Sequence, residues 1–340
     1  MTNTPSRAVH DLRPLGDTGI QVSPLGLGLA AVGRPGYINL GRDSDLGEAR
    51  SVAALEARAF ELLDVAWALG VRYVDVARSY GQAEAFLGRW LAARGHAQGD
   101  VAIGSKWGYT YTAGWRVDAQ THEVKEHSLA VLRRQWGETR EQLGDHVDLY
   151  QVHSVTPGSA ALDDPALVDE LAALKASGVR IGLSTSGPDQ AVAVALAARV
   201  SVDGVRLFDT VQATWNPLEP SVGAALDEAR AAGMGVIVKE ALANGRLTDH
   251  NDDPAFARQR ATLAALAEAR GVGIDAVALA AALAQPWADV VLSGAATMEH
   301  LRANALALQL PFDDELASAL AALAEAPEAY WSTRSDLPWS

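Results

Sequence analysis

The feature that most constrains this chain is an alternation. From residue 24 onward, short apolar runs and longer amphipathic or alanine-rich runs take turns, eight times over. The strand-like runs cover 24–29, 71–76, 101–106, 147–153, 179–184, 205–212, 235–239 and 290–293. The helix patterns cover 53–69, 83–93, 124–143, 165–177, 189–199, 220–232, 274–284 and 298–308, with a helical insertion at 253–270. Runs such as "GVIV" and "DVVL" are apolar throughout, as parallel strands covered on both faces are. Eight β-then-α units in that order predict an α/β fold, a (β/α)8 TIM barrel. No Pro/Gly/Ser linker divides the chain, so one domain over residues 1–340 is expected. The stretch "RPLGDTGIQVSPLGLGL" predicts an N-terminal β-hairpin ahead of the first barrel strand. Ser51, Asp163 and Asp164 stand where helix caps belong, and Gly70, Gly178 and Gly233 where helices end.

Charge and composition narrow the partners. Lys plus Arg is 28 against 42 Asp plus Glu, a formal net charge of −14. That balance argues against nucleic acid or an anionic membrane as a partner. There is no cysteine, hence no disulfide framework. The start, "MTNTPSRAVHDLRPLG", has no apolar signal core, and a cytoplasmic location is expected. The oligomeric state stays open.

In barrels of this kind the site forms at the carboxyl ends of the strands. The residues ending those runs are Asp75, Lys106, His153, Ser184, Gln212, and Lys239 with Glu240. Asp75 lies inside the apolar run of "VRYVDVARSYG", and Lys106 ends the neighbouring run at the same expected level. A buried charge needs a partner, so a salt bridge is expected. Tyr80 follows closely. A phenol titrates near ~10, and a nearby ammonium lowers that value. A neutral His153 imidazole can donate to a carbonyl oxygen. Asp75, Tyr80, Lys106 and His153 therefore form a candidate proton relay for a carbonyl group. No serine elbow and no cysteine nucleophile is present, so a hydride is the missing part. Ser184, Thr185 and Gln212 offer the groups that hold a carboxamide, as a nicotinamide ring carries.

With those residues in place, the chain resembles the aldo-keto reductase superfamily along nearly its whole length. The landmarks are "RPLGDTGIQVSPLGLG", "GVRYVDVARSYG", "GSKWG", "DLYQVHS", "GLSTSG", "VQATWNPL" and "SGAATMEHLRANA". The resemblance implies a nicotinamide-dependent oxidoreductase that interconverts a carbonyl (aldehyde, ketone or sugar) and an alcohol, using NADP(H) or NAD(H). It implies a catalytic tetrad of Asp75, Tyr80, Lys106 and His153, and a carboxamide site of Ser184, Thr185 and Gln212. It carries the pyrophosphate loop onto "KEALANGRLT", hence Lys239, Glu240, Leu242, Asn244, Gly245 and Arg246. It carries the adenosine-side contacts onto Gly294, Thr297, His300 and Asn304, and sets Gly28 beside the pocket.

The chain departs from that pattern in places. Lys239 stands where the family has an aromatic residue against the nicotinamide. Gly294 and His300 stand where NADPH-preferring members carry Lys and Arg, with Arg302 two residues off. Leu29 and Ala30 replace a common Thr-Trp, so a wider pocket is expected.

Other readings of these segments are weaker. Asp75 and Lys106 on their own describe a structural core pair. "GLGLAAVG" loosely matches a dinucleotide fingerprint, but "RPGYINLG" follows where a helix should start. His122 and His127 in "HEVKEH" have the wrong spacing for a metal pair on one helix face and are expected to be solvated; no metal site is expected. The tail "YWSTRSDLPW" is dense in aromatics, which suggests packing across the barrel mouth. A cofactor-binding regulatory or accessory subunit is the alternative function. A barrel lyase is disfavoured, because no acidic cluster or Gly-rich phosphate loop occurs at the last two strands.

Overall fold

The computed structural model describes residues 11–340, so the polar start at 1–10 lies outside the described residues. Eight parallel strands close into a barrel. They are β1 (Leu25–Gly28), β2 (Tyr73–Asp75), β3 (Ala102–Trp107), β4 (Leu149–Val155), β5 (Arg180–Thr185), β6 (Thr210–Thr214), β7 (Gly235–Lys239) and β8 (Val290–Ser293). Each pairs with its neighbours in sequence, and β8 returns to β1 with Val291 opposite Leu25. Helices cover the outside of the barrel. In Ile274–Leu283 every residue except Asp275 is buried, which explains why the rest of that helix is apolar on all faces.

The amino end of the barrel is plugged. Strands Arg13–Pro14 and Gln21–Val22 form the expected hairpin. It delivers Leu15 and Val22 into an apolar cluster with Tyr73, Ala102, Leu149, Ile237 and Val290. Gly16 makes this approach possible: its φ is +53°, and a Cβ there would stand 2.3 Å from the Gly235 nitrogen. With that end filled, the cavity among the described residues lies at the carboxyl ends of the strands.

Several expected elements are shifted. Helix 124–143 starts later, as Leu129–Leu143, because Ser128 caps it by accepting from the Val131 N–H. Residues Glu123–Lys125 instead form a strand antiparallel to Tyr109–Tyr111. The run 205–212 is two elements: Val205–Arg206 closes a small hairpin with Ser201–Val202, and the barrel strand begins at Thr210. Helix 298–308 breaks after Ala305 into a 3-10 turn. His122 and His127 are half-buried and each has a partner, rather than being freely solvated. His122 stacks on Trp339 at 3.9 Å, and His127 Nε2 lies 2.8 Å from the His153 carbonyl. Helices Arg42–Leu46, Asp314–Ala321 and Pro327–Ser335 were not anticipated.

The tail does cross the mouth. Tyr330 and Trp331 are buried, and Ile38 bridges Trp339 in antiparallel fashion. Tyr37 and Ser340 exchange two backbone hydrogen bonds, each 3.0 Å. Arg42 fastens this crossing. Its fully buried guanidinium donates to the carbonyls of Ala31 (3.0 and 2.7 Å), Pro35 (2.6 Å), Arg34 (2.5 Å) and Ser340. Burial, then Arg50 and Arg34, bring its pKa down to about 9, so it keeps its charge at neutral pH. Among the described residues no helix is long and apolar enough to cross a membrane.

Arg42→Met removes the donor and leaves buried carbonyls unpaired. Each such group costs about 1–3 kcal/mol. The variant's thermal midpoint is therefore expected to drop by several degrees. A melt matching the wild type contradicts this role.

Candidate active site

β2 ends with Asp75 and β3 carries Lys106, but the two are not level. Asp75 is in register with Gly104, so Lys106 stands two residues further along. Its chain reaches across, and Lys106 Nζ donates to Asp75 Oδ1, to the Val76 carbonyl at 3.1 Å and to Tyr80 Oη at 3.3 Å. The two side chains of the ion pair are 0% and 3% exposed. Asp75 Oδ2 accepts from Gln212 Nε2 at 2.8 Å. Both oxygens of the buried carboxylate are thus engaged, the condition under which such a pair survives desolvation. Gln212, expected to hold a carboxamide, spends an amide hydrogen on Asp75.

Tyr80 and His153 meet edge to face, with ring centres 5.6 Å apart. His153 is aimed by an irregularity in β4, where the register with β5 shifts between Val152 and Val155 and Ser154 takes φ +56°. Burial, then Lys106, Lys239 and Arg34, push the imidazole pKa well below its usual value. The ring is therefore neutral at neutral pH. Tyr80 departs from expectation. Burial and the Asp75 carboxylate hold its pKa well above 10, with Arg34 opposing. Lys106 does not reverse this, because its charge is already matched by Asp75. The phenol stays protonated and available as a donor.

These groups open on a cavity of about 450 Å³ that runs from Tyr80 and His153 to His300 and Asn304. Gly28, Gln212, Lys239, Glu240, Leu242, Asn244, Gly245 and Gly294 also line it. Four predicted contacts do not. Ser184 and Thr185 are fully buried behind the wall. Ser184 Oγ accepts from the Ser154 N–H at 2.8 Å, and Thr185 Oγ1 donates to Gln190 at 3.3 Å. Ser154 and Ser186 face the cavity in their place. Arg246 is turned away by two hydrogen bonds to Glu325, 3.1 and 2.5 Å long. Thr297 caps helix Met298–Ala305 by accepting from the His300 N–H.

The structure adds residues that sequence reasoning missed. Arg34 is buried and donates to Glu123 at 2.7 Å and to the Ser79 carbonyl at 2.8 Å. Its guanidinium stands 4.9–5.5 Å from the rings of Trp339, Tyr37 and Tyr80. Arg334, from the tail helix, grips Glu240 with three hydrogen bonds of 2.6–3.1 Å. Asp45 lies 3.7 Å from both His250 Nε2 and His300 Nδ1. Their ligand atoms all fall within 4.8 Å of one another. The expectation of no metal site rested on spacing within one helix, whereas this group joins three segments distant in sequence.

Comparison with known proteins now agrees with this geometry. Residues 37–325 match the Aldo/keto reductase family, and the chain belongs to that family. It is 29% identical over 332 residues to the aldo-keto reductase ausK of Emericella nidulans, covering 87% of this chain and 77% of that one. It is 23% identical over 322 residues to an aryl-alcohol dehydrogenase of Pestalotiopsis microspora, again covering 87% and 77%. The fold is shared with the aldo-keto reductase AKR11C1 of Bacillus halodurans, at a TM-score of 0.70, 22% identity, and 93% and 97% coverage. Membership defines a carbonyl/alcohol oxidoreductase on a (β/α)8 barrel.

The buried pair is open to a direct check. Lys106→Met leaves Asp75 charged, buried and short of its main partner, at a cost of ~3–5 kcal/mol. A fall of several degrees in thermal midpoint is expected. If the variant melts with the wild type, the pair is not carrying the strain of burial.

Proposed function

We propose that this protein transfers a hydride between a nicotinamide cofactor and a small carbonyl or alcohol, with Tyr80 as general acid and base. The observation that carries this reading is the contact of a protonated, buried phenol with an ammonium 3.3 Å away, beside a neutral imidazole, at one end of a closed barrel.

The cavity suits such a cofactor. Two buried polar atoms on residues lining it, His153 Nδ1 and Asn244 Oδ1, have no hydrogen-bond partner among the described residues. Gly28 and Gly294 leave room beside it, since a Cβ at Gly294 would meet nothing within 4 Å. Gln212, Ser154 and Ser186 would hold the nicotinamide end, and Asn244, Gly294, His300 and Asn304 the rest. When bound, the cofactor supplies or accepts the hydride at the carbonyl carbon.

The protein's own part is polarisation and proton transfer. His153 donates to the substrate oxygen and orients it. Tyr80 Oη gives that oxygen its proton as negative charge develops there. Lys106, fixed by Asp75, sits where it stabilises the phenolate left behind. In the reverse direction the same groups remove the alcohol proton. Tyr37, Tyr80, Tyr109 and Trp339 line the mouth, and these flat rings favour an aryl carbonyl, in keeping with the name of the Pestalotiopsis relative, an aryl-alcohol dehydrogenase.

Tyr80→Phe keeps the ring and loses the donor. Turnover of an aryl aldehyde, followed by the decay of reduced-cofactor absorbance, is expected to drop at least ~10²-fold, while cofactor affinity holds. Near wild-type turnover in this variant refutes the role.

Cofactor choice follows from charge. A 2′-phosphate needs charge-assisted donors. His300 is the group expected there, and the Asp45 carboxylate 3.7 Å from it repels a dianion. Of the other two candidates, Arg246 is held by Glu325 and Arg302 is not among the residues lining the cavity. Fluorescence titration should therefore show NADPH favoured over NADH by less than roughly tenfold, about 1.4 kcal/mol, or NADH favoured outright. A hundredfold preference for NADPH would mean a phosphate clamp has been overlooked.

A further inference from the structure

One carboxylate at the end of β7 serves two cations. Glu240 accepts from Arg334 Nε at 3.1 and 3.0 Å, from Arg334 Nη2 at 2.6 Å, and from Thr214 Oγ1 at 3.0 Å. Lys239 is left further off. Its Nζ is 3.7 Å from Glu240 and makes its shorter bond, 2.7 Å, to the neutral Thr214 hydroxyl. Lys239, Glu240 and Arg334 all line the cavity. An ammonium and a guanidinium against one carboxylate leave one positive charge without a counterpart. Nearby cations are matched one to one, Lys106 by Asp75 and Arg34 by Glu123. The surplus is therefore local to the wall at Lys239. That wall adjoins the reacting end of the cavity, because Lys239 ends β7 in register with Thr214 of β6, two residues beyond the Gln212 that donates to Asp75.

The next step rests on the hydride-transfer reading above. The oxidised and reduced forms of a nicotinamide cofactor differ in the charge of one ring, cationic when oxidised and neutral when reduced. We infer that Lys239 makes this site discriminate between the two redox forms, holding the reduced cofactor and repelling the oxidised one. An aromatic side chain in that position would act in the opposite sense, since its face attracts a cation. A lysine presents an apolar stem to the neutral ring and a like charge to the oxidised ring. The oxidised cofactor then leaves readily after carbonyl reduction, and the reverse reaction starts from the poorly held form.

The groups facing Lys239 set its pH range. Burial lowers its pKa; Glu240 opposes, and Arg334 and Lys106 add to the lowering, to about 8. His153 faces it as a neutral ring. Glu240 keeps its charge throughout: burial raises its pKa, but Arg334 and Lys239 overrule this and bring it down to about 2. Above about 8 Lys239 sheds its proton, and Glu240 and Arg334 remain as a neutral pair. The discrimination should then vanish.

The test is equilibrium binding. Dissociation constants for NAD+ and NADH, and for NADP+ and NADPH, are measured by tryptophan fluorescence on wild type, Lys239→Met and Lys239→Arg. In the wild type at about pH 6, two units below the pKa, the reduced form is expected to bind at least ~10-fold more tightly. At about pH 10, two units above it, that ratio should shrink toward one. Lys239→Met should show the small ratio at both pH values, and Lys239→Arg the large ratio at both. Thermal melts confirm that each variant is folded. If Lys239→Met is unfolded, the wild-type pH series and Lys239→Arg carry the test. Equal ratios in wild type and Lys239→Met, or a wild-type ratio indifferent to pH, overturn the inference and leave the hydride-transfer reading standing. If neither cofactor binds the wild type at all, both fall together.

Discussion

The buried pair of Asp75 and Lys106 sets the conditions for everything at the carboxyl end of this barrel. Two charges removed from water need full satisfaction by neighbours. Asp75 obtains it from Lys106 and Gln212, and Lys106 from Asp75, the Val76 carbonyl and Tyr80. That set draws on β2, β3, β6 and the loop after β2. The pair therefore positions the phenol, and it ties together strands on different sides of the barrel. A hydrophobic pair in its place would pack as well, but it would leave Tyr80 without a cation.

The mouth of the cavity shows a second form of control, in which burial selects protonation states. The imidazole is kept neutral and the phenol is kept protonated, both chiefly by desolvation. Two proton donors with no net charge thus face the space where a carbonyl oxygen would lie. The charged groups stand one layer behind or to one side, Lys106 paired with Asp75, Arg34 with Glu123, and Lys239 and Arg334 sharing Glu240. Electrostatic stabilisation is then available where charge develops, without placing an ion directly against a neutral substrate.

Much of this was legible from residue order. The barrel could be read because its strands are apolar throughout and its helices are bounded by recognisable caps and glycines, such as Ser51 and Gly178. The expected Asp75–Lys106 contact could be read because a lone buried acid has few alternatives. The errors share a cause, which is contact between segments distant in sequence. Residues 123–125 look helical in isolation, but their backbone pairs with Tyr109–Tyr111. Ser184 and Thr185 end a strand as site residues do, yet their hydroxyls are taken by Ser154 and Gln190. The expected drop in the Tyr80 pKa failed because the nearby ammonium was already neutralised. Arg34, Asp45 and Arg334 carry no local signature at all. Their roles arise only when loops after β1 and the tail helix meet over the cavity.

The meeting of the tail with the first loop has a bearing on how the molecule is assembled. Arg42 reaches a carbonyl 298 residues away in sequence, and the Ser340 hydroxyl reaches back 301 residues to Asn39. Contacts of such separation come late for a chain that emerges from the ribosome amino end first. All eight strands leave before residues 327–340 do. The barrel can close while Glu240 still lacks Arg334 and the aromatic rim still lacks Trp339. The scaffold thus precedes its own binding site, and a nascent chain halted short of this tail is a barrel with an unfinished mouth.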